Sequence, residues 1–160
     1  MITIFTDGSA RGNPGPGGWG AIIAHEDRVV EIGGPSQVDT TNNKMELTAA
    51  IEALQSVGYD ERITLYTDSE YVKKGITEWV TGWQKNGWKT STKKPVENQE
   101  LWWALIEASK DKPVTWNVVR GHAGVPGNER CDVIATAFAD AEHVELYNGP
   151  RDGYTISLKA

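Results

Sequence analysis

Two apolar runs in this chain end in the same pair of residues, Thr6-Asp7 and Thr67-Asp68. An acid inside a buried strand is costly unless it is paired or bound to a metal. In open α/β sheets, functional groups collect at the carboxyl ends of strands. Two more acids stand near expected helix starts: Glu46 in Thr41-Asn42-Asn43-Lys44-Met45-Glu46-Leu47, and Asp132 in Asn128-Glu129-Arg130-Cys131-Asp132. Singly, each of these has a plain structural explanation. Asn43 to Glu46 has the spacing of a capping box, and Asp68 and Asp132 would favour the positive ends of helices. Together, four carboxylates facing one cleft repel one another, so a cation must hold them. An all-oxygen donor set, with no cysteine or histidine cluster, selects Mg²⁺, or Mn²⁺ as its substitute, over zinc. Two such ions suit phosphoryl chemistry, one activating water and the other stabilising the leaving oxygen. His122, flanked by Gly121 and Ala123-Gly124, adds an exposed imidazole able to carry protons near neutral pH.

The elements that must position these residues follow from periodicity. Residues 2–7, 19–25 and 28–32 read as strands with tight links, an antiparallel meander. A helix capped by Asn42 or Asn43 runs to about residue 57, with Leu47, Ala50, Ile51 and Leu54 on one face and Gly58 at its end. A strand over 62–67, a helix over 70–80, a helix over 98–110 capped by Asn98, a strand over 114–119 and a helix over 128–141 follow. The tail carries turn signals at Asn148-Gly149-Pro150 and Asp152-Gly153. Residues 154–158 alternate, as a short edge strand or a disordered end would. Trp102 and Trp103 are expected in the core; Trp79 and Trp83, spaced i, i+4, either pack or stack on a sugar or base. Gly15-Pro16-Gly17-Gly18-Trp19-Gly20 matches a dinucleotide-binding pattern but precedes a strand rather than a helix, so no helix N-terminus faces a pyrophosphate. It reads as a turn between strands.

At 160 residues one domain is the default. No apolar run approaches the roughly 20 residues needed to span a bilayer, and no signal peptide is recognised at the N-terminus. Cys131 is the single cysteine, which fits a reducing compartment; a cytoplasmic monomer is expected. The net charge of −6 is unevenly spread. Residues 71–95 hold six lysines (Lys73, Lys74, Lys85, Lys89, Lys93, Lys94) and one acid, Glu78. A basic segment on an acidic body is either a solvated surface or a grip for phosphates beside a carboxylate-rich cation site. Lys85 and Lys89 are its candidate nucleic-acid contacts.

The chain closely resembles type 1 ribonuclease H of the bacterial kind. The resemblance rests on Phe5-Thr6-Asp7-Gly8-Ser9, Gly12-Asn13-Pro14-Gly15-Pro16-Gly17-Gly18, Thr41-Asn42-Asn43-Lys44-Met45-Glu46-Leu47, Thr67-Asp68-Ser69, Gly75-Ile76, Trp79, Gly87-Trp88-Lys89, Gly121-His122-Ala123-Gly124 and Asn128-Glu129-Arg130-Cys131-Asp132. These occur in family order and spacing to about residue 140. The resemblance implies an α/β ribonuclease H-like fold: a five-stranded mixed sheet, three strands in an antiparallel meander plus two parallel strands, flanked by helices. It implies a catalytic domain over 1–141 and a tail over 142–160. It also implies hydrolysis of the RNA strand of an RNA–DNA hybrid, leaving 5′-phosphate and 3′-hydroxyl ends. Asp7, Glu46, Asp68 and Asp132 match the metal-binding carboxylates, and His122 matches a histidine assisting proton transfer or product release. Asn13, Asn42 and Asn43 match contacts to the hybrid. Thr41 and Asn98 match a pocket for a DNA-strand phosphate, and Trp79 matches a residue packing on a deoxyribose. A related DNA-processing nuclease and a noncatalytic hybrid-binding module stay open as alternatives.

Five positions depart from the pattern. Asp39 and Glu70 stand where a basic residue and a glutamine are common, and Gln84, Asn86 and Glu97 thin out the basic segment. Fewer cations on the phosphates release fewer counterions. Hybrid affinity is therefore expected to fall less steeply with salt than in a more basic relative titrated side by side; a steeper log–log slope would overturn this.

Overall fold

The computed structural model describes residues 1–59, 61–120 and 124–160. Its centre is a mixed sheet in the order β5-β4-β1-β2-β3-β6. Strands β1 (Ile2–Ala10), β2 (Gly17–Ala24) and β3 (Arg28–Pro35) form the expected meander. β4 (Ile63–Thr67) and β5 (Val114–Val118) add parallel to β1 on its other side. Among the described residues the sheet has six strands rather than five. The sixth, β6 (Asn148–Pro150), pairs antiparallel with β3. It occupies residues whose composition signals a turn, while 154–158 form no strand. Pairing rather than propensity decides here: three residues suffice because β3 supplies the partner.

Helix α1 (Asn42–Gln55) covers one face and helix α4 (Gln99–Ser109) packs against α1, so that Leu47, Leu54, Trp102 and Leu105 share one core with Ile2, Ile4, Ile63 and Leu65. Residues 70–85 are helical throughout, as α2 (Glu70–Lys74), a π-helical turn (Gly75–Trp79) and α3 (Val80–Lys85). Helix α5 (Pro126–Ala139) lies on the opposite face. There Phe5, Ile22, Ala24, Val29 and Cys131 form a second core, joined by Tyr147, Tyr154 and Leu158 of the tail. Alternation along β1 explains the split, since Ile2 and Ile4 point one way and Phe5 the other.

Several boundaries move for physical reasons. Helix α1 is capped by Thr41, whose side chain accepts from the Lys44 amide, not by Asn42 or Asn43. It stops short of Gly58, because the Ser56 amide turns back to the Ala53 and Leu54 carbonyls. Asn98 precedes α4 in a left-handed conformation and makes no side-chain cap; its amide instead donates to Tyr71 Oη (3.0 Å). Trp103 is 47% exposed, against the core position expected of it, whereas Trp102 is fully buried. The glycine stretch is only partly a turn, since Gly17, Gly18 and Gly20 lie within β2. Their lack of a side chain lets α5 approach the strand: a Cβ on Gly20 would stand 2.7 Å from Ile134 Cβ and 2.8 Å from the Cys131 carbonyl. Gly20→Ala is expected to cost about 1–3 kcal/mol by overpacking, read as a lower urea midpoint at unchanged m. An unchanged midpoint would mean that α5 yields freely.

Candidate active site

The two Thr-Asp pairs become one feature through strand register. In the parallel ladder Thr6 faces Thr67, the last pair of β1 with β4. Asp7 and Asp68 are therefore the next residues on two neighbouring strands, side by side where the strands part. Asp7 pairs on its other flank with Gly20 of β2. The third acid arrives on α1. A Cβ on Gly8 would meet the Met45 carbonyl carbon at 2.3 Å and the Glu46 amide nitrogen at 2.4 Å. Only glycine permits that contact between strand and helix, and the contact sets Glu46 beside Asp7.

One carboxylate oxygen from each of Asp7, Glu46 and Asp68 lies within 4.8 Å of the others. Asp7 Oδ2, Glu46 Oε1 and Asp68 Oδ1 are buried and have no hydrogen-bond partner among the described residues. Buried polar atoms are normally satisfied, so three orphaned acceptors on three clustered carboxylates are what a cation site needs. The Gly8 amide donates to the other Asp7 oxygen (2.8 Å). Burial, then the charges of Asp68 and Asp132, push the Asp7 carboxyl up to about 9. Burial, followed by Asp7 and Asp68, also raises Glu46 well above the ordinary carboxylate range. A divalent cation would reverse this by favouring the ionised forms.

The capping explanation for Glu46 does not survive the geometry. Glu46 does not reach back to Asn43, because the cap is Thr41 and its partner is Lys44. The cap of α2 is Ser69, which accepts from Val72 (3.1 Å), so Asp68 stands just before the cap, at the positive end of α2, without a capping bond of its own. Asp132 is in the second turn of α5 rather than near its start, because the helix begins at Pro126 and Glu129 is its first-turn acid. Asp132 lies close enough to act on the Asp7 charge but outside the compact group of three. His122 lies outside the described residues.

Beside the carboxylates runs a groove of about 610 Å³ lined by Asn13, Thr41, Asn42, Asn43, Lys44, Glu97 and Asn98. It brings together five of the residues expected to touch nucleic acid, from three stretches of sequence. Asn42 Oδ1 accepts from the Ala10 amide (2.7 Å), which ties the start of α1 to the end of β1 and turns the Asn42 NH₂ outward. Tyr71 Oη accepts from both Asn98 and Trp102 Nε1. Its ring also meets Trp79 edge-on at 5.8 Å. Trp79 is thereby fixed relative to Asn98, although it does not line the groove. Lys85 and Lys89 are exposed and stand away from that lining. Lys44 is a groove residue that motif reasoning passed over; its place in the first turn of α1 was the available signal. No helix among the described residues is long and apolar enough to cross a membrane.

Comparison with known proteins agrees with this geometry. The RNase H family model matches residues 1–140. The chain is 54% identical to a Ribonuclease H of Hyphomonas neptunium over 140 residues, 88% of this chain and 93% of that one. It is 56% identical to a Ribonuclease H of Brucella anthropi over 134 residues, 84% and 86% of the two chains. Among solved structures it is similar to LC9-RNase H1, described as a type 1 RNase H with the type 2 active-site motif. The TM-score there is 0.80, with 30% identity and coverage of 92% of this chain and 77% of that one. The twin strand-end aspartates, the glutamate brought against them by α1 and a match across most of the sequence lead to one statement: the chain belongs to the ribonuclease H family.

Proposed function

We propose that this chain is an endoribonuclease that hydrolyses the RNA strand of RNA–DNA hybrids, leaving 5′-phosphate and 3′-hydroxyl ends. The observation that carries the reading is the group of three buried, unpartnered carboxylate oxygens on Asp7, Glu46 and Asp68. Family membership supplies the substrate class. Asp7, Glu46, Asp68 and Asp132 would hold two divalent cations, Mg²⁺ or Mn²⁺. Bound there, the ions supply the activation of water and the neutralisation of charge on the leaving oxygen.

The chain's own residues do the rest. The backbone clamp at Gly8 fixes Asp7 and Glu46 before substrate arrives, so no reorganisation is needed at the reaction. Asn42, its carbonyl oxygen already engaged by Ala10, presents an amide donor to the minor-groove side of a hybrid, where the 2′-OH distinguishes RNA from DNA. Asn13 and Asn43 flank it. Thr41 accepts from Lys44 and keeps its hydroxyl proton for a phosphate, with Asn98 across the groove. Trp79 offers an apolar face to a deoxyribose, and Lys85 and Lys89 follow the backbone electrostatically. His122 carries a proton to or from the reacting phosphate. The catalytic unit spans 1–141, and the compartment is the cytoplasm.

The test is cleavage of labelled RNA–DNA, RNA–RNA and DNA–DNA duplexes with Mg²⁺ or a chelator. RNA-strand cleavage of the hybrid alone, lost in chelator, is expected. DNA–DNA cleavage, or binding without cleavage, would overturn the reading. Asp7→Asn is expected to lower turnover by about 10³-fold or more, the scale of losing transition-state charge stabilisation, while hybrid affinity holds within a fewfold. Near-normal turnover would remove Asp7 from the site.

A pH dependence follows from the raised carboxyls. Without metal, the folded protein keeps a proton on Asp7 that the unfolded chain loses near pH 4, up to about 9. Across that window the native state binds more protons, so this contribution to stability falls as pH rises. In chelator, Asp7→Asn is expected to be less pH-sensitive than the parent and more stable at pH 8. Mg²⁺ is expected to raise the Tm of the parent more than that of the variant. Parallel stability curves for the two proteins would contradict this.

A further inference from the structure

Beyond the family match at residue 140, the chain builds a network that the proposed chemistry does not use. Its centre is Glu31 on β3, a carboxylate whose side chain is only 2% exposed. Arg130 of α5 grips it with two hydrogen bonds, Nε to Oε2 at 2.8 Å and Nη2 to Oε1 at 2.9 Å. The tail completes the shell. The Tyr147 amide donates to Oε1 (2.9 Å) and the Tyr154 hydroxyl to Oε2 (2.6 Å). Arg130 Nη2 donates also to the Glu145 carbonyl (2.6 Å). Burial pushes the Glu31 carboxyl up, but the Arg130, Tyr154 and Tyr147 donors together outweigh it and hold the group below its ordinary value.

The tail is itself anchored. β6 pairs with β3, Arg151 Nη1 donates to the His25 carbonyl (2.8 Å), and the Tyr147 and Tyr154 rings pack at 5.1 Å. A fully satisfied buried ion pair specifies one geometry more than it adds stability. The geometry specified here is the seating of α5 on the sheet. Arg130 stands two residues before Asp132, the one acid of the four that lies outside the compact group. Asp7, Glu46 and Asp68 are set by the β1–β4 register and the Gly8 contact; Asp132 depends on where α5 sits.

We propose that the C-terminal segment is a brace. Through Tyr147 and Tyr154 on Glu31, and Glu31 on Arg130, it sets the position of Asp132 relative to the other three carboxylates. Glu31, Arg130 and Tyr154 are positioning residues. This rests on the functional reading above for what Asp132 does, but the physical brace stands without it. It places a determinant of the active site outside the family's shared core.

Tyr154→Phe removes one hydroxyl and leaves the ring packing. Glu31→Gln and the pair Arg130→Lys and Arg130→Met grade the loss. Three readouts are taken on the full chain at a temperature far below unfolding: amide hydrogen exchange over residues 129–133 against α1, the Mg²⁺ concentration for half-maximal thermal stabilisation, and kcat and KM on the hybrid. The brace predicts faster exchange in α5 but not α1. It also predicts a higher Mg²⁺ midpoint and a kcat lowered about tenfold, the scale for partners that orient a ligand, with KM within twofold. Arg130→Lys should recover part of what Arg130→Met loses. Unchanged exchange in α5 overturns the brace. Faster exchange with unchanged Mg²⁺ midpoint and kcat overturns its link to Asp132, as does a change confined to KM. If the parent protein cleaves no hybrid, the functional reading fails, and exchange with the Mg²⁺ midpoint still decides the brace.

Discussion

Three acids that repel one another are kept together by backbone that has no alternative. Two ionised carboxylates at 4.8 Å repel by about 3–4 kcal/mol at an effective dielectric constant of about 20, and burial adds the cost of lost hydration. Side-chain rotation would relieve this if the three were on loops. Asp7 is instead within β1, Glu46 is on α1, and Asp68 is held between the end of β4 and the start of α2. The Thr6–Thr67 pairing places Asp7 beside Asp68, and the absent side chain of Gly8 brings Glu46 to within a strand–helix contact. The strain is relieved by protons when no cation is bound, which the raised Asp7 and Glu46 carboxyls express.

The same helix that brings Glu46 inward carries the groove outward. The start of α1 holds Thr41, Asn42, Asn43 and Lys44 along one wall of the groove. One turn later the helix is buried at Met45, Glu46 and Leu47. The groove wall and the carboxylate thus share one element, and the tie from Asn42 to Ala10 couples its start to the strand bearing Asp7. Across the groove, Tyr71 links Asn98 to Trp102 and Trp79, so the opposite wall rests on the main core. The three carboxylates lie on β1, α1 and the end of β4, while the lysines of residues 71–95 lie on a separate, largely exposed segment. That separation lets a protein of net charge −6 meet a polyanion, since the local field and not the sum steers association.

The second face of the sheet is held differently. α5 approaches β2 where glycines replace side chains, and the residues beyond it return to cover its apolar flank with Tyr147, Tyr154 and Leu158. β6 also occupies the outer edge of β3, which would otherwise offer unpaired backbone groups to another chain. A segment with weak family resemblance thus closes an edge, roofs a core and grips the ion pair at the root of α5.

Much of the site was legible in residue order, because local signals report local constraints. The repeated Thr-Asp pair marked the end of β4 and the point where β1 leaves it, although β1 itself runs on to Ala10, and the block from Thr41 to Leu47 marked a helix start with an acid in it. The antiparallel meander followed from short links between alternating runs. What the sequence by itself determined was therefore which groups exist, on which elements, and that gathered together they suit a cation. Only the tertiary structure decided that Asp7 and Asp68 are neighbours, since register between strands 60 residues apart in sequence is set by packing. It decided against the capping role for Glu46, since Thr41 and Asn43 are equally plausible caps until backbone geometry chooses between them. It put Trp103 in solvent and Trp102 in the core, although they are adjacent, because only one face of α4 turns toward the core it shares with α1 and Tyr71. And it made a strand of Asn148–Pro150, whose composition signals a turn, because a ladder partner at β3 outweighs intrinsic preference over so short a stretch.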